Sequence, residues 1–378
     1  KKCACQKSAQ SGRASVGRAS IVRMSCMIVP PYLLQRLAAL DDPAFAPAAA
    51  AARASLQRDI PFRDVRTGEI LPQSLRASRA APTRAPAAQT PEAPNRTVSD
   101  ANGSERLPGV MVRGEGDRAT GDPAADEAYD GLGHTHDLLR TAFGRASIDG
   151  ANLPLEATVH FGEDYDNAFW DGERMVFGDG DGVVFTRMTA SLSVIGHELA
   201  HGVTQYSANL VYEGQAGALN ESVSDVFGAL VEQRTFGQNA DEASWLIGHG
   251  LFTDAVEGTA LRSMAAPGTA YNDDVLGTDP QPAHMDDYID TREDNGGVHL
   301  NSGIPNRAFY LTAIDLGGFA WERAGRIWYD TLVGDLSATA DFSVFATSTI
   351  AAATARFGGG SAEQRAVRSA WNTVGVTV

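Results

Sequence analysis

An α+β fold of two lobes around a cleft, preceded by a separate N-terminal segment, is what this 378-residue sequence predicts, on three observations. Charge divides the chain. Residues 1–96 hold 15 Lys and Arg against 6 Asp and Glu, a net of +9, whereas residues 97–378 hold 16 against 41, a net of −25; together they give −16. Residues 157–187 are rich in Val, Phe and Gly-bounded short runs, the pattern of strands and turns. From Thr189 onward the apolar residues recur at helical spacing, and 282 residues suffice for two lobes.

Each segment can be read in turn. Residues 1–25 are Ser- and Arg-rich without an apolar stretch, so neither a signal-peptide core nor a membrane span is visible. The chain opens on Lys1, and Met24 and Met27 are the candidate starts. Pro30-Pro31-Tyr32-Leu33-Leu34 leads into a short amphipathic helix, and Pro47–Leu56 reads as a second, Ala-rich helix with its proline in the first turn. Four prolines mark Ala81–Pro94 as an extended linker. Further helices are expected over Ala308–Leu316, Trp321–Leu332 and Phe342–Phe357. All three Cys (Cys3, Cys5, Cys26) lie in the first 26 residues, so the rest has no disulfide. The basic arm lacks the interleaved aromatic residues of a nucleic-acid binder, which excludes that class; attraction between arm and body is the better reading.

The chemistry concentrates in His197-Glu198-Leu199-Ala200-His201. Residues four apart share a helix face, so both imidazoles reach one ion, while Glu198 sits about 100° round the helix. That offset leaves its carboxylate beside the metal, able to hold a water. After nineteen intervening residues, Glu221 and Asp225 are again four apart within a helical pattern of Leu219, Val223, Val226, Phe227 and Leu230. Two His, one Glu and an open position form a catalytic rather than a structural zinc site, and Asp225 is suited to fixing a ligand histidine's tautomer. Among the other histidines, His134 and His136 read as an exposed or capped pair, His160 as a strand residue, and His249 and His284 lack partners in sequence. Asp179-Gly180-Asp181-Gly182 lacks the spacing of an EF-hand and reads as a tight turn.

With these residues stand Asn167-Ala168-Phe169-Trp170, Asn220-Glu221-x-x-x-Asp225, Leu261-Arg262-Ser263-Met264 and Asp294-Asn295-Gly296-Gly297-Val298-His299. Over roughly residues 105–378 the chain resembles the thermolysin family of zinc endopeptidases, and Pro30-Pro31-Tyr32-Leu33-Leu34 resembles the short precursor motif of its protealysin-like members. The resemblance implies a thermolysin-like fold with a β-rich lobe over 97–205 that includes the zinc helix, a helical lobe over 206–378, and a prosegment with its linker over 1–96. It implies His197, His201 and Glu221 on one catalytic Zn²⁺, with Asn220 and Asp225 behind the ligands. Glu198 is then the base. His299 and Tyr212 donate to the oxyanion, and Asp294 orients His299. Asn167, Ala168 and Trp170 pair with the substrate backbone, and Arg262 meets the carbonyl beyond the scissile bond. Phe185, Met188, Val194, Ile247, Leu251 and Leu261 line the pocket for the residue after that bond; all six are apolar, so Leu, Phe, Ile or Val is expected there.

Departures from the family fall at calcium. Ser193, Ser244, Leu246 and His249 stand where calcium-binding members carry acids and only Glu232 remains, so the double calcium site is expected to be absent. The partners expected are peptide or protein substrates and the chain's own prosegment, in a monomer. The family implies secretion, with a cytoplasmic location as the alternative where no export signal is visible. A self-processing cut is expected between Ala81 and Val112, best at Thr97-Val98. Cys26 reads as a buried or incidental thiol, with a cap on the zinc as the other reading. A latent, non-catalytic zinc-binding module with its cleft filled by residues 1–96 is the competing function; Glu198, Asp294 and His299 together argue against it.

Overall fold

The structure, a computed structural model, describes residues 26–64 and 93–378. The expected linker and the first 25 residues therefore lie almost wholly outside the described residues. One mixed sheet comprises β1 (Cys26–Met27), β2 (Arg96–Asp100), β3 (Val110–Gly114), β4 (Leu155–Val159), β5 (Ala168–Trp170) and β6 (Met175–Phe177). Its spatial order is β1-β5-β6-β4-β2-β3, with β2–β4 and β4–β6 parallel and the other pairs antiparallel. Strands β2 and β3 were not legible in the sequence. β3 lies on the sheet's edge with Val110, Met111 and Val112 all exposed, so it carries no alternation of buried and exposed residues.

The N-terminal segment forms α1 (Pro31–Ala38) and α2 (Ala46–Asp64). Helix α3 (Pro123–Asp137) follows β3, capped by the Asp122 carboxylate on the Ala125 N–H, with Pro123 in the first turn. His134 and His136 belong to this helix rather than to a strand, and His136 is buried instead of exposed. Helices α4 (Leu192–Gln205) and α5 (Gly214–Phe236) form the centre. They approach closely because Gly196 and Gly228 face each other; a Cβ on Gly228 would lie 2.3 Å from the Ser193 carbonyl oxygen. This close crossing brings Glu221 to the two histidines. Short helix α6 (Asp294–Asn301) and helices α7 (Gly303–Leu316), α8 (Ala324–Val333), α9 (Phe342–Phe357) and α10 (Ala362–Thr373) complete the second lobe.

Residues 26–64 pack on the body as an integral layer. Leu33, Leu34 and Leu37 of α1 join the main core, and β1 adds an edge strand to the sheet. The attraction expected between basic arm and acidic body is carried by Arg58, paired with Glu105 at 2.7 Å, while Arg36 donates to the carbonyls of Asp274 and Val275. Fully buried Asp59 accepts from Tyr165 Oη (2.7 Å) and Asn167 Nδ2 (3.2 Å), and Ser55 Oγ accepts the Asp166 N–H. The expected cut at Thr97-Val98 is corrected by this structure. Both residues sit in β2, hydrogen-bonded to β3 on one side and β4 on the other, and Val98 is fully buried. A protease needs an extended, unpaired backbone, so a cut there would require unfolding the sheet.

Asp166 makes this layer pH-dependent. It is fully buried, and a hydrogen bond from the Asp181 backbone offsets that burial only in part. Burial, then Asp181 and Asp164, pushes its carboxyl from the ordinary 3.8 to about 9. The folded chain thus holds a proton that the unfolded chain releases. That contribution to stability is full below about pH 3.8 and is lost as pH rises toward 9. Asp166→Asn should therefore raise the thermal midpoint at pH 7–8 and leave it nearly unchanged at pH 4; parallel melts of both proteins across this range check it.

Candidate active site

Helix α4 presents His197, Glu198 and His201 toward α5, all fully buried. The two Nε2 atoms lie 3.0 Å apart, and Glu221 oxygens lie 3.5 Å from His197 Nε2 and 3.7 Å from His201 Nε2. Two ring nitrogens on one tetrahedral zinc are about 3.3 Å apart, given Zn–N bonds of about 2.0–2.1 Å. The remaining ring nitrogens are taken: His197 Nδ1 by Asp225 at 2.7 Å, and His201 Nδ1 by Asn220 at 2.9 Å and Ser224 at 3.0 Å. Protons at Nδ1 leave the Nε2 lone pairs for a metal. Glu221 Oε2 is buried without a hydrogen bond, an oxygen that a cation would satisfy. Burial opposes charge on Glu221, but His299, His197 and His201 outweigh it and hold it well below the usual carboxylate range. The donor set of two imidazoles and one ionised carboxylate fits Zn²⁺.

Asp225 does more than the sequence indicated. Besides His197, it accepts two bonds from Arg262 (2.8 and 2.9 Å) and one from Asn306 Nδ2 (2.8 Å). Burial opposes its ionisation, but Arg262 and then His197 prevail and hold it at about 2. One buried carboxylate therefore ties His197 to Arg262. Ser224 and Asn306 were missed. Ser224 follows Glu221 by three positions and so shares its helix face, a usable signal. Asn306 gives none.

His299 sits at the end of a left-handed turn, with Asp294 (φ 51°), Asn295 (φ 52°), Gly296 (φ 81°) and Gly297 (φ 75°) in succession. This turn folds Asp294 back so that its carboxylate accepts from both His299 Nδ1 (2.6 Å) and His299 N (2.8 Å). Asp and Asn tolerate such φ better than other side chains, and Gly is indifferent to it. Burial lowers the pKa of His299, but Asp294 and Glu221 overcome it and raise it. Tyr212 Oη lies 3.3 Å from His299 Nε2 and donates to Glu221, so the two expected oxyanion donors converge beside the metal site.

The cleft is filled by the chain's own β1 and the residues that follow it. Cys26 pairs with Trp170 and Met27 with Phe169 in an antiparallel register. Ile28 N donates to Ala168 O (3.1 Å), and Val29 N donates to Asn167 Oδ1 (2.9 Å). Arg262 Nη1 donates to Ile28 O (3.0 Å), and His299 Nε2 lies 2.8 Å from Met27 O. Phe185, Met188, Val194, Ile247, Leu251 and Leu261 are all buried in the main apolar core of the molecule, which also takes in Ile28. Cys26 is buried, as expected, and its Sγ, a His201 nitrogen and a Glu221 oxygen lie within 4.8 Å of one another. His160, just past β4, lies between Asp179 (2.8 Å) and Asp122 (3.0 Å), away from this cleft, and Asp181 closes its turn by accepting the N–H groups of residues 183–185.

Comparison with known proteins agrees with this geometry. Residues 87–205 match the thermolysin metallopeptidase catalytic domain, and residues 208–376 match the thermolysin metallopeptidase alpha-helical domain. An extracellular metalloprotease of Pectobacterium carotovorum subsp. carotovorum is 49% identical over 359 residues, covering 94% of this chain and 98% of that protein. Protease PrtS of a Photorhabdus species is 50% identical over 287 residues, covering 75% and 77%. The solved precursor of protealysin, a metalloproteinase from Serratia proteamaculans, superposes with a TM-score of 0.81 at 48% identity, over 93% of this chain and all of that one. This chain therefore belongs to the thermolysin family of zinc metalloendopeptidases, in its protealysin-like branch, and is made as a precursor.

Proposed function

We propose that this endopeptidase cuts peptide bonds on the N-terminal side of bulky apolar residues, and that residues 26–64 hold it latent until they are removed. The single observation that carries this reading is the seating of Met27-Ile28-Val29 on the cleft residues that a substrate would use.

His197, His201 and Glu221 would hold the metal. When bound, Zn²⁺ lowers the pKa of a water toward neutrality and polarises the carbonyl to be attacked. Glu198, one residue along α4 from His197, takes the proton from the attacking water and returns it to the departing amine. His299, kept protonated by Asp294, and Tyr212 donate to the carbonyl oxygen as it gains charge. Asn167 and Ala168 fix the backbone beyond the bond, Trp170 is locked by Gln205 (3.0 Å), and Arg262 fixes the next carbonyl. Holding the reacting groups this way supplies the orientation part of catalysis. The competing reading, a non-catalytic zinc module, is not favoured: it explains neither Glu198 nor the His299–Asp294 pair.

Specificity follows from the six apolar residues that the family resemblance places around the residue after the cut bond. Six apolar walls leave no partner for a charged or amide side chain, and each methylene lost from the guest costs about 1–3 kcal/mol. Cleavage-site mapping on a mixed peptide library should return Leu, Ile, Val or Phe after the cut bond. Acidic or small residues there would refute the proposal.

We propose that the double calcium site is absent, on the side chains that stand at its positions. Ser193 Oγ accepts the Gly248 N–H and pairs with Ser191, while Ser244 Oγ meets Glu232 at 3.5 Å. One carboxylate among hydroxyls is fewer acidic ligands than the six to eight oxygens of a Ca²⁺ site usually include. We further propose that the chain is secreted, on the extracellular naming of the relatives; among the described residues no helix is long and apolar enough to cross a membrane.

A further inference from the structure

The segment that fills the cleft runs in a particular direction and register. Met27 O lies on His299 Nε2, the donor for the carbonyl under attack. Ile28 N donates to the β5 edge, the Ile28 side chain is fully buried in the main apolar core, and Ile28 O accepts from Arg262. Val29 is held at both ends by Asn167, whose Oδ1 takes its N–H and whose Nδ2 reaches its carbonyl at 3.3 Å. A peptide running the other way would interchange amides and carbonyls, and this set of bonds could not form. Pro30 and the start of α1 at Pro31 then turn the chain out of the cleft. A cavity of about 210 Å³, lined in part by Met27, Asn295 and His299, opens beside the bond and has room for water.

We propose that Met27–Ile28 is a latent self-cleavage site: a peptide bond held in the reacting position of the cleft and kept intact by the Cys26 thiol at the metal site. The inference rests on the zinc-endopeptidase reading above. Cys26 Sγ, a His201 nitrogen and a Glu221 oxygen lie within 4.8 Å of one another, so the thiol would serve as a sulfur donor to the metal those residues would hold, in the place of the attacking water. Without the thiol, water adds to the Met27 carbonyl carbon and the C–N bond to Ile28 breaks. Met27 leaves as a carboxylate, and the proton carried by Glu198 ends on the new Ile28 amine. No oxidant or second reactant is required. The same segment is thus an inhibitor while Cys26 is in place and a substrate once it is not.

The test is intact mass and N-terminal sequencing of the zinc-loaded full chain carrying Cys26→Ala, beside wild type and Cys26→Ala/Glu198→Gln. The expected result is a product beginning at Ile28 in the first, formed at a rate independent of protein concentration, and at least tenfold less in the other two. Cobalt-loaded wild type should also show a sulfur-to-metal absorption band that Cys26→Ala lacks. An intact Met27–Ile28 bond in a Cys26→Ala chain that hydrolyses an added apolar peptide overturns the inference and leaves the endopeptidase reading standing; a chain that cuts neither overturns both. Where Cys26→Ala does not fold, a synthetic peptide spanning residues 22–35 with the same substitution, given to processed enzyme, takes its place. It should be cut between Met27 and Ile28, and cleavage elsewhere or none overturns the register.

Discussion

Replacing Glu198 by Gln is expected to lower kcat by roughly 100- to 10,000-fold or more while zinc stays bound, because the base is lost and the ligands are not. Glu198 is fully buried beside His197 on α4, and Gln fills the same volume. Zinc content by atomic absorption should therefore match wild type, and the melting curve should change little. The loss must appear in kcat and in kcat/KM alike, since proton transfer belongs to the transition state. His299→Ala should cost less, about 100- to 1,000-fold, as it removes one of two donors to the oxyanion. Near-normal turnover in Glu198→Gln would end the mechanism, whatever the zinc content.

Arg262→Met is expected to damage stability and metal binding together, by about 3–5 kcal/mol for the broken buried pair and about 10- to 100-fold in zinc affinity. Arg262 and Asp225 are both completely buried and joined by two hydrogen bonds. Removing the guanidinium strands the carboxylate that fixes His197. Urea unfolding and zinc competition titration measure the two losses. Adding Asp225→Asn to Arg262→Met should recover much of the stability, because no unpaired charge then stays buried, yet it should not restore zinc affinity. Full zinc affinity in Arg262→Met would show that Asp225 does not orient His197.

The parts of this site that a sequence reveals are those whose geometry is local. His197, Glu198 and His201 lie within one helical turn or so, and Glu221 and Asp225 within another, so periodicity alone predicts which of them converge. Roles for His299, Arg262 and the six pocket residues came instead from family resemblance, since nothing local brings residue 185 to residue 261. Asn306 joins Asp225 across 81 positions of sequence, and no pattern in α7 announces it. The same holds for Cys26. Its place depends on β1 adding to the open edge of β5 about 140 residues away, a pairing set by backbone hydrogen bonds rather than by side-chain identity. The misplaced cut at Thr97-Val98 has the same origin: an apolar residue near a composition boundary looked accessible, and only the sheet shows Val98 between two partners. Strand β2 escaped notice because five residues beside an Asn102-Gly103 turn are too few to show a period.

The most direct measurement is release of a fluorogenic peptide with Leu after the scissile bond, followed before and after removal of the N-terminal segment and across a cycle of chelation. The account predicts almost no release by the intact precursor, rapid release by the processed body, complete loss on chelation, and recovery on adding Zn²⁺ but not Ca²⁺. Full activity of the intact precursor, or activity that survives chelation, would contradict it.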